Sequence, residues 1–443
     1  MSSSMDVAAE VMESSASSES SAEPQVRRTL GVWHGVALYV GSVLGTGVLV
    51  LPAIAADTAG PASLLSWAAL LVLSGPLALT YAALSIQRPD AGGFSDAIER
   101  AFGRRWGGVA GWLFLAQVPG GSTIVALIAG QYGASAFGGG PAMAAALGLG
   151  MVVLGYALNY AGLRVSVTAQ LVTLGVIAVG LALIIGRALP HVESHAFTPF
   201  FSRGHSAVGL AAVQLFWAFV GWEAITPLAR EFRNSRDIWR SSVLSVLIVG
   251  ALYLGLAVAV IGTHAYGAPG GGAPLVLLAE RIFGTSASTV VGIAGFLLSF
   301  IPFNAYIAGT SRLTFALGER GQLPRWLGVM SRNGTPRRAI VTLGVIVVVA
   351  LAVALGWHVR IDDLLPLSTS SFLATYVLSM AAAVRLLRGP ILYAAVVSLA
   401  ACGVVLLFVG PLIGWIAGVS ACALVYQSLS ARRQSPAAPE QGR

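Results

Sequence analysis

The stretch GSVLGTGVLVLP, residues 41–52, lies within the first long apolar run of the chain and carries three glycines, Gly41, Gly45 and Gly47. Glycine is less favourable than alanine inside a helix by about 1 kcal/mol. Three glycines this close together weaken the continuity of any helix that contains them. The stretch therefore predicts a break, and the composition of the chain indicates the kind of helix that is broken.

The composition is that of a membrane protein. Of the 443 residues, 56% are hydrophobic and 10% are charged, whereas soluble domains carry about 25% charged residues. Apolar runs of roughly 20 residues, the length that crosses a bilayer core, recur along nearly the whole chain. The sequence therefore predicts an all-α membrane protein with twelve transmembrane spans, at 32–57, 61–87, 105–137, 142–160, 164–187, 207–230, 241–265, 285–317, 339–356, 363–384, 390–409 and 411–429.

The formal net charge of +8 reports topology and does not indicate a nucleic-acid partner. The chain has no lysine, so all 26 basic residues are arginines. If the N-terminus lies in the cytoplasm, only Arg187, Arg203, Arg281 and Arg360 fall on the outer side, in agreement with the positive-inside rule. The arginine distribution therefore predicts that both termini are cytoplasmic.

The chain divides into two halves of five helices each. The first half covers 29–187 and the second covers 206–385, and each opens with a glycine-interrupted span, GSVLGTG in the first and WAFVGWE (217–223) in the second. Because five is odd, the second half starts on the opposite side of the membrane and is inverted. Paired interrupted helices indicate a substrate site near the membrane midplane.

The remaining segments of the chain lie outside this repeat. Residues 389–430 are predicted to form helices 11 and 12. Residues 1–28 are rich in serine and have no apolar run, which predicts a disordered cytoplasmic tail, and residues 431–443 form a second cytoplasmic tail.

Two interpretations of the first break compete. Gly41 and Gly45 form a GxxxG pair, which lets two membrane helices pack closely. The alternative is an unwound turn, which Gly47 and the matching break in the second half favour. A half-helix that begins near Gly45 presents amide N–H groups to a carboxylate, and one that ends near Val43 presents carbonyls to an ammonium group or a cation. On this interpretation the glycines form a main-chain site for a zwitterion.

Four motifs carry a resemblance to a known family: GSVLGTGVLVLP, PDAGGF (89–94), FWAFVGWEAITPLAREFRNSRD (216–237) and SRLTFALGERGQLP (311–324). They resemble the amino acid–polyamine–organocation (APC) superfamily of transporters. With WLFL (112–115) and FVGWEA (219–224), they are most similar to its bacterial exporters of methionine and branched-chain amino acids. The resemblance covers about residues 30–385 and implies a LeuT-type 5+5 inverted repeat, with helices 1 and 6 broken, in a bacterial cytoplasmic membrane.

The resemblance also implies the substrate site. The amides of Thr46 and Gly47 would bind the substrate carboxylate, and the carbonyls of Val43, Trp217 and Val220 would bind its ammonium group. Ordinary helix packing is the alternative explanation for each aromatic residue. The implied substrate-binding set also contains Ser42 and Gly45 at the turn, Trp217, Ala218 and Phe219 at the side-chain pocket, and Tyr306 at a gating position. Trp222 is expected in the wall of the same pocket.

Glu223 is the acidic residue placed well inside a predicted span, and intramembrane carboxylates usually mark an ion path. It is either a proton site that biases the inward–outward equilibrium or a protonated side chain bonded to a neighbouring helix. Some proton-coupled relatives carry a lysine on helix 5, and this chain has no lysine. A coupling proton is the expected partner, with sodium coupling and pure exchange left open.

The expected function is a secondary active permease for neutral, hydrophobic amino acids such as methionine or leucine, because apolar walls disfavour charged side chains. Export or proton-linked antiport is expected, with uptake or exchange as the alternative. The alternative outside the class of transporters is a membrane-embedded enzyme or a channel. The sequence has no HExxH or GxSxG motif and no clustered histidines, and Asp362-Asp363 is explained as a helix cap. We expect neither a metal nor a cofactor, and the oligomeric state stays open.

Overall fold

A computed structural model describes residues 30–87, 93–162, 167–223, 229, 231–267 and 273–434. Within these residues the chain is almost entirely helical, with one isolated β-bridge, between Leu30 and Phe232. The helices are α1 (Val32–Val43), α2 (Gly47–Ala59), α3 (Ser63–Gln87), α4 (Gly93–Phe102), α5 (Arg104–Ala116), α6 (Val118–Ala136), α7 (Pro141–Tyr160), α8 (Val167–Ala188), α9 (Ser206–Phe216), α10 (Ser235–Gly262), α11 (Pro274–Phe283), α12 (Ala287–Glu319), α13 (Arg337–Gly356), α14 (Ile361–Leu386), α15 (Pro390–Leu407) and α16 (Ile413–Gln434).

The described helices are those of a multi-pass membrane protein. Nine helical stretches of the described residues are long and apolar enough to cross a bilayer: Gly47–Gln87, Arg104–Ala136, Pro141–Tyr160, Ser235–Gly262, Ala287–Glu319, Arg337–Gly356, Ile361–Leu386, Pro390–Leu407 and Gly410–Ser430. Three shorter apolar helices, at Val32–Val43, Gly175–His191 and Ser206–Phe219, accompany them. The prediction of an all-α membrane protein is confirmed, as expected where no water is present to satisfy irregular backbone.

Two of the predicted spans are interrupted. The first helix ends at Val43, and α2 begins at Gly47 after a short non-helical segment. In the second half of the chain, α9 ends at Phe216 and continues as one 3₁₀ turn, Trp217–Phe219. Val220 then adopts an extended conformation. Residues 224–228 and 230, which complete the predicted span, lie outside the described residues.

The two interruptions lie against each other. A Cβ atom added to Gly47 would lie 3.3 Å from the Cα atom of Ala218, and one added to Gly221 would lie 2.8 Å from the carbonyl oxygen of Ser42. Gly221 also has a φ of 131°, which side chains rarely permit. Gly221 is therefore required to be glycine where the two breaks pack closely, and at Gly47 a side chain would crowd Ala218 and Leu51.

The helices around the breaks form a continuous apolar core. The long helix α10 packs against α1 and α3, while α6 packs against α7 and α12. Trp67 and Tyr253 lie fully buried in this core, with ring centroids 5.0 Å apart. The breaks are thus held on several sides by helices distant in the chain.

Two short helices lie outside the predicted spans. The first is the amphipathic helix α4, which precedes α5; residues 88–92, which hold most of the PDAGGF motif, lie outside the described residues. The helix α11 was not predicted, because its ten residues are too short to be a span. It begins with Pro274, whose missing N–H is tolerated at a helix start.

Two polar segments, residues 360–363 and the GQLP turn at 321–324, make hydrogen bonds that position helices. The backbone amide of Arg360 donates to Oδ2 of Asp363 at 3.3 Å, so the prediction that Asp362-Asp363 caps a helix is confirmed for α14. In the GQLP turn, the Gln322 carbonyl accepts a hydrogen bond from the Trp112 indole at 2.8 Å. This turn therefore attaches the end of α12 to α5.

Candidate functional site

A cavity of about 360 Å³ lies between the two breaks. Its walls come from α1, the two interruptions, α5, α6, α12 and α14. Most of the residues that the sequence assigned to a site contribute to the lining: Ser42, Val43, Gly45, Thr46, Gly47, Trp217, Ala218, Val220, Glu223 and Tyr306.

Phe219 and Trp222 lie elsewhere, which corrects the expectation that they border the pocket. Both are buried in the apolar core. The Phe219 ring packs against Tyr253 at a centroid distance of 5.4 Å, and Trp222 packs against Tyr39 at 5.7 Å. In a 3₁₀ turn residues three apart share a face. Trp217 and Val220 therefore line the cavity together, and the ring of Phe219 lies in the core.

The first break leaves two amide groups available at the start of α2. Val48 and Leu49 donate to the carbonyls of Gly45 and Thr46, at 3.3 and 3.1 Å. The amides of Thr46 and Gly47 donate to no residue in the described part of the chain. Free N–H groups at the positive end of a helix dipole favour an anion. This end of the cavity is therefore suited to a carboxylate.

The carbonyl end of the first break is already engaged. The Val43 carbonyl accepts hydrogen bonds from the Gly45 amide at 2.8 Å and from the Tyr253 hydroxyl at 2.7 Å. The same hydroxyl lies 3.0 Å from the carbonyl of Ala218. Because one phenol has one proton, it can donate to only one of these carbonyls at a time. Tyr253 thus connects the two breaks, and the Val43 carbonyl is less available to an ammonium group than the sequence suggested.

Glu223 lines the cavity and is tied to the second break. Its Oε2 atom accepts a hydrogen bond from the Gly221 amide at 3.0 Å and another from the hydroxyl of Tyr376 on α14. The buried Tyr376 ring packs against Tyr81 and Phe216, at centroid distances of 5.5 and 5.4 Å. Protonation or ionisation of this carboxylate would therefore change a contact between the break and α14.

Sequence reasoning missed both Tyr253 and Tyr376. A tyrosine in the middle of an apolar span is itself a signal, because a buried phenol needs a hydrogen-bond partner. The partner, however, lies on another helix in each case. The sequence shows that a partner is required without showing which one.

The remaining wall is mostly apolar and aromatic. Phe114 lies 5.6 Å from Phe372 and 6.3 Å from Tyr306, measured between ring centroids. Two polar side chains interrupt this surface, Gln117 and Ser122, which are 2% and 1% exposed. Gln117 Nε2 and Ser122 Oγ have no hydrogen-bond partner among the described residues. The cavity therefore combines an apolar wall with a few polar groups able to orient a ligand.

One group of metal-ligand side chains lies outside the cavity. Glu193, His195 and His264 are exposed, and their ligand atoms all lie within 4.8 Å of one another. The absence of clustered histidines noted in the sequence is corrected here, because folding brings together two histidines that are distant in the chain.

Comparisons with known proteins agree with the helical architecture. A sequence profile of the family "Amino acid permease" matches residues 30–431. The chain is 35% identical to the uncharacterized amino acid permease YecA of Bacillus subtilis (strain 168), over 82% of this chain and 86% of that protein. It is 33% identical to the L-methionine/branched-chain amino acid exporter YjeH of Escherichia coli (strain K12), over 87% of this chain and 92% of that protein.

A solved structure has the same fold. The crystal structure of MhsT in complex with L-phenylalanine superimposes with a TM-score of 0.61, covering 86% of this chain and 99% of MhsT. The two sequences are 16% identical. At that level the likeness concerns the LeuT-like arrangement of helices.

Proposed function

The chain belongs to the amino acid permease family, and we propose that it is a secondary active transporter of neutral, hydrophobic amino acids that works by alternating access. The observation that carries the proposal is the cavity between two touching helix breaks. It has main-chain groups at one end and an aromatic wall around the rest. A zwitterion with an apolar side chain matches both parts.

The charged ends of the substrate would be bound by main chain. The amides of Thr46 and Gly47 bind the carboxylate, because both residues line the cavity at the start of α2. Of the carbonyls that the sequence assigned to the ammonium group, Val43 is engaged by Tyr253. The ammonium is therefore bound by the carbonyls of Trp217 and Val220. Ser42, Gly45, Ala218 and Tyr306 complete the proposed site.

The substrate class follows from the walls. Phe114, Phe372 and Ile301 face the ligand space, and each CH₂ group buried against such a surface stabilises the complex by about 0.8 kcal/mol. A guanidinium or polyamine would need carboxylates there. Glu223 is the acidic residue of the lining, and it accepts hydrogen bonds from Gly221 and Tyr376.

The cavity is proposed to face the cytoplasm. Ala37, Leu38 and Gly41 on α1 line it, whereas α2 contributes only its first residue, Gly47. The ligand space therefore extends toward the side from which the chain enters the membrane. With a cytoplasmic N-terminus, this geometry corresponds to the inward-facing state.

We infer a bacterial cytoplasmic-membrane location with twelve spans, two inverted five-helix halves at 29–187 and 206–385, and a C-terminal pair at 389–430. The contact between the breaks that open the two halves supports this arrangement. The arginine distribution supports cytoplasmic termini, including the tails 1–28 and 431–443.

Cysteine labelling tests this topology. With Cys402 and Cys422 replaced by serine, Ser235→Cys is expected to react with a membrane-impermeant maleimide only from the cytoplasmic side, and His205→Cys only from outside. Both positions are exposed. Labelling of residue 235 from outside intact cells would contradict the orientation.

Counterflow in proteoliposomes tests the function. Vesicles loaded with unlabelled methionine are expected to accumulate labelled methionine, leucine, isoleucine and valine, but not arginine, glutamate or putrescine. Protein-free vesicles are the control. Preference for a charged amino acid would refute the substrate class, and no counterflow with any amino acid would refute transport. Export is supported by likeness to YjeH, and uptake or exchange is the alternative.

A further inference from the structure

Three exposed side chains outside the cavity have the chemistry of a metal site. Glu193 and His195 lie in the segment after α8, and His264 lies just beyond the end of α10. The Nε2 atom of His195 is 3.0 Å from Oε2 of Glu193, and ligand atoms of all three residues lie within 4.8 Å of one another. Neither segment contributes to the substrate cavity.

The backbone holds both segments in place. Glu193 donates its amide to the carbonyl of Gly262 at 3.0 Å, which ties the segment after α8 to the last turn of α10. Val192 lies so close that a Cβ atom added to Gly262 would be 2.6 Å from its side chain. The relative position of Glu193 and the end of α10 is therefore set by main-chain contacts and does not depend on the ion.

His264 is fixed by the turn that ends α10. Its amide donates to Ile261, and the amide of Ala265 donates to Val260 at 2.9 Å, the paired bonds of a Schellman motif. His264 occupies the left-handed position of that motif, with a φ of 53°. The turn directs the chain back toward Glu193, so a residue at this position is held beside the segment after α8.

From this geometry we infer that Glu193, His195 and His264 form a binding site for a divalent transition metal, for which Zn²⁺ is the appropriate probe. Two imidazoles and one carboxylate suit zinc, whereas Mg²⁺ and Ca²⁺ prefer oxygen ligands alone. In a tetrahedral site with bonds near 2.1 Å the ligand atoms are about 3.4 Å apart. The ligand atoms now lie within 4.8 Å of one another, and all three side chains are exposed and therefore free of the close packing that would hold them apart.

The bound ion would connect two parts of the chain. It would join the segment after α8 to the end of α10, on the outer side in the proposed topology. Three protein ligands leave a fourth position for water, as in open zinc sites. Zinc would therefore stabilise this face of the fold by binding the folded state, independently of which substrate the transporter carries.

Calorimetry on the purified full-length protein tests the site. The protein carries an affinity tag without histidine and is first stripped with a chelator. We expect wild type to bind one Zn²⁺ and to gain thermal stability on zinc addition, with no such effect of Mg²⁺ or Ca²⁺. His195→Ala and His264→Asn are expected to weaken binding by more than about tenfold, since even outer-shell partners of a zinc site are worth 10- to 100-fold in affinity. Asparagine is chosen at 264 because it tolerates a positive φ.

Two control variants separate metal binding from changes in the fold. His191→Ala removes another exposed histidine of the same segment. His358→Asn repeats the change at the end of α13, where the histidine has a φ of 54° in the same kind of turn. Both should bind zinc as wild type does. Equal zinc binding in all variants, or no binding by wild type, overturns the inference.

Discussion

Gly45→Val is expected to abolish substrate binding and leave the protein folded. A Cβ atom added to Gly45 would meet no protein atom within 4 Å, and Gly45 lines the cavity. The added side chain would therefore occupy ligand space next to the amides of Thr46 and Gly47. The structure thereby changes the expected role of this glycine. The turn itself has room for a side chain at position 45. That side chain would take the space that the substrate carboxylate needs.

The expected size of the effect follows from the hydrogen bonds that would be lost. Bonds to a charged group contribute about 1.5–3 kcal/mol each. Loss of two of them amounts to about 3 kcal/mol or more, which is over a hundredfold in the dissociation constant. Binding of labelled methionine to the detergent-purified variant measures this directly, and the thermal midpoint without substrate shows whether the fold survives.

Two other glycine variants show whether the position matters. Gly180→Val, on α8, also places its Cβ atom in open space but lies outside the cavity lining, so it should bind as wild type does. Gly221→Ala should lower thermal stability, because its Cβ atom would lie 2.8 Å from the Ser42 carbonyl at a φ of 131°. Unchanged binding by Gly45→Val would show that the substrate does not occupy the space next to Gly45.

Glu223→Gln is expected to uncouple transport from a proton gradient while leaving exchange intact. The amide keeps the shape of the carboxylic acid, and its oxygen can still accept from Gly221 and Tyr376. It cannot ionise, so it represents one protonation state permanently. If the carboxylate carries the coupling proton, the variant binds and exchanges substrate but no longer responds to pH.

The free energy of the pH gradient sets how far wild type can concentrate its substrate. One pH unit corresponds to about 1.4 kcal/mol, which supports about a tenfold substrate gradient for one proton per substrate. In vesicles with the membrane potential clamped, wild type should build up methionine against its gradient by about that factor. Glu223→Gln should equilibrate methionine at equal concentrations on both sides.

Two further variants complete this experiment. Glu280→Gln changes a glutamate on α11 outside the cavity lining and should behave as wild type. Tyr376→Phe removes the hydroxyl that donates a hydrogen bond to Glu223 but keeps the Glu223 carboxylate, so coupling should persist. If Glu223→Gln couples transport to the proton gradient as wild type does, Glu223 has a structural role, through its hydrogen bonds to the second break and to α14.

Much of the architecture was predictable because it depends on properties that neighbouring residues share. Runs of apolar residues determine which segments can cross a bilayer. The glycines of residues 41–47 placed a helix break where the structure has one, between Val43 and Gly47. The aspartates at 362–363 likewise indicated a helix start through a local hydrogen bond.

The errors concern the direction that a side chain takes from its helix. Phe219 was assigned to the pocket but lies in the core, because the 3₁₀ turn around it changes the angular spacing of side chains. In a span that is apolar on all sides, sequence periodicity does not distinguish the face toward a cavity from the face toward another helix. Sequence periodicity likewise did not show that Gly45 faces the cavity.

By itself, the amino-acid sequence determined the membrane class and the two helix breaks, because these depend on composition or on contacts within a few residues, and its motifs indicated the family. Only the tertiary structure decided which distant groups meet. It joined Tyr253 to the carbonyls of both breaks, Tyr376 to Glu223, and His264 to Glu193 and His195. Each of these contacts forms only when helices that are far apart in the chain pack with one particular rotation about their axes and one particular displacement along them. The packing of the whole core sets both.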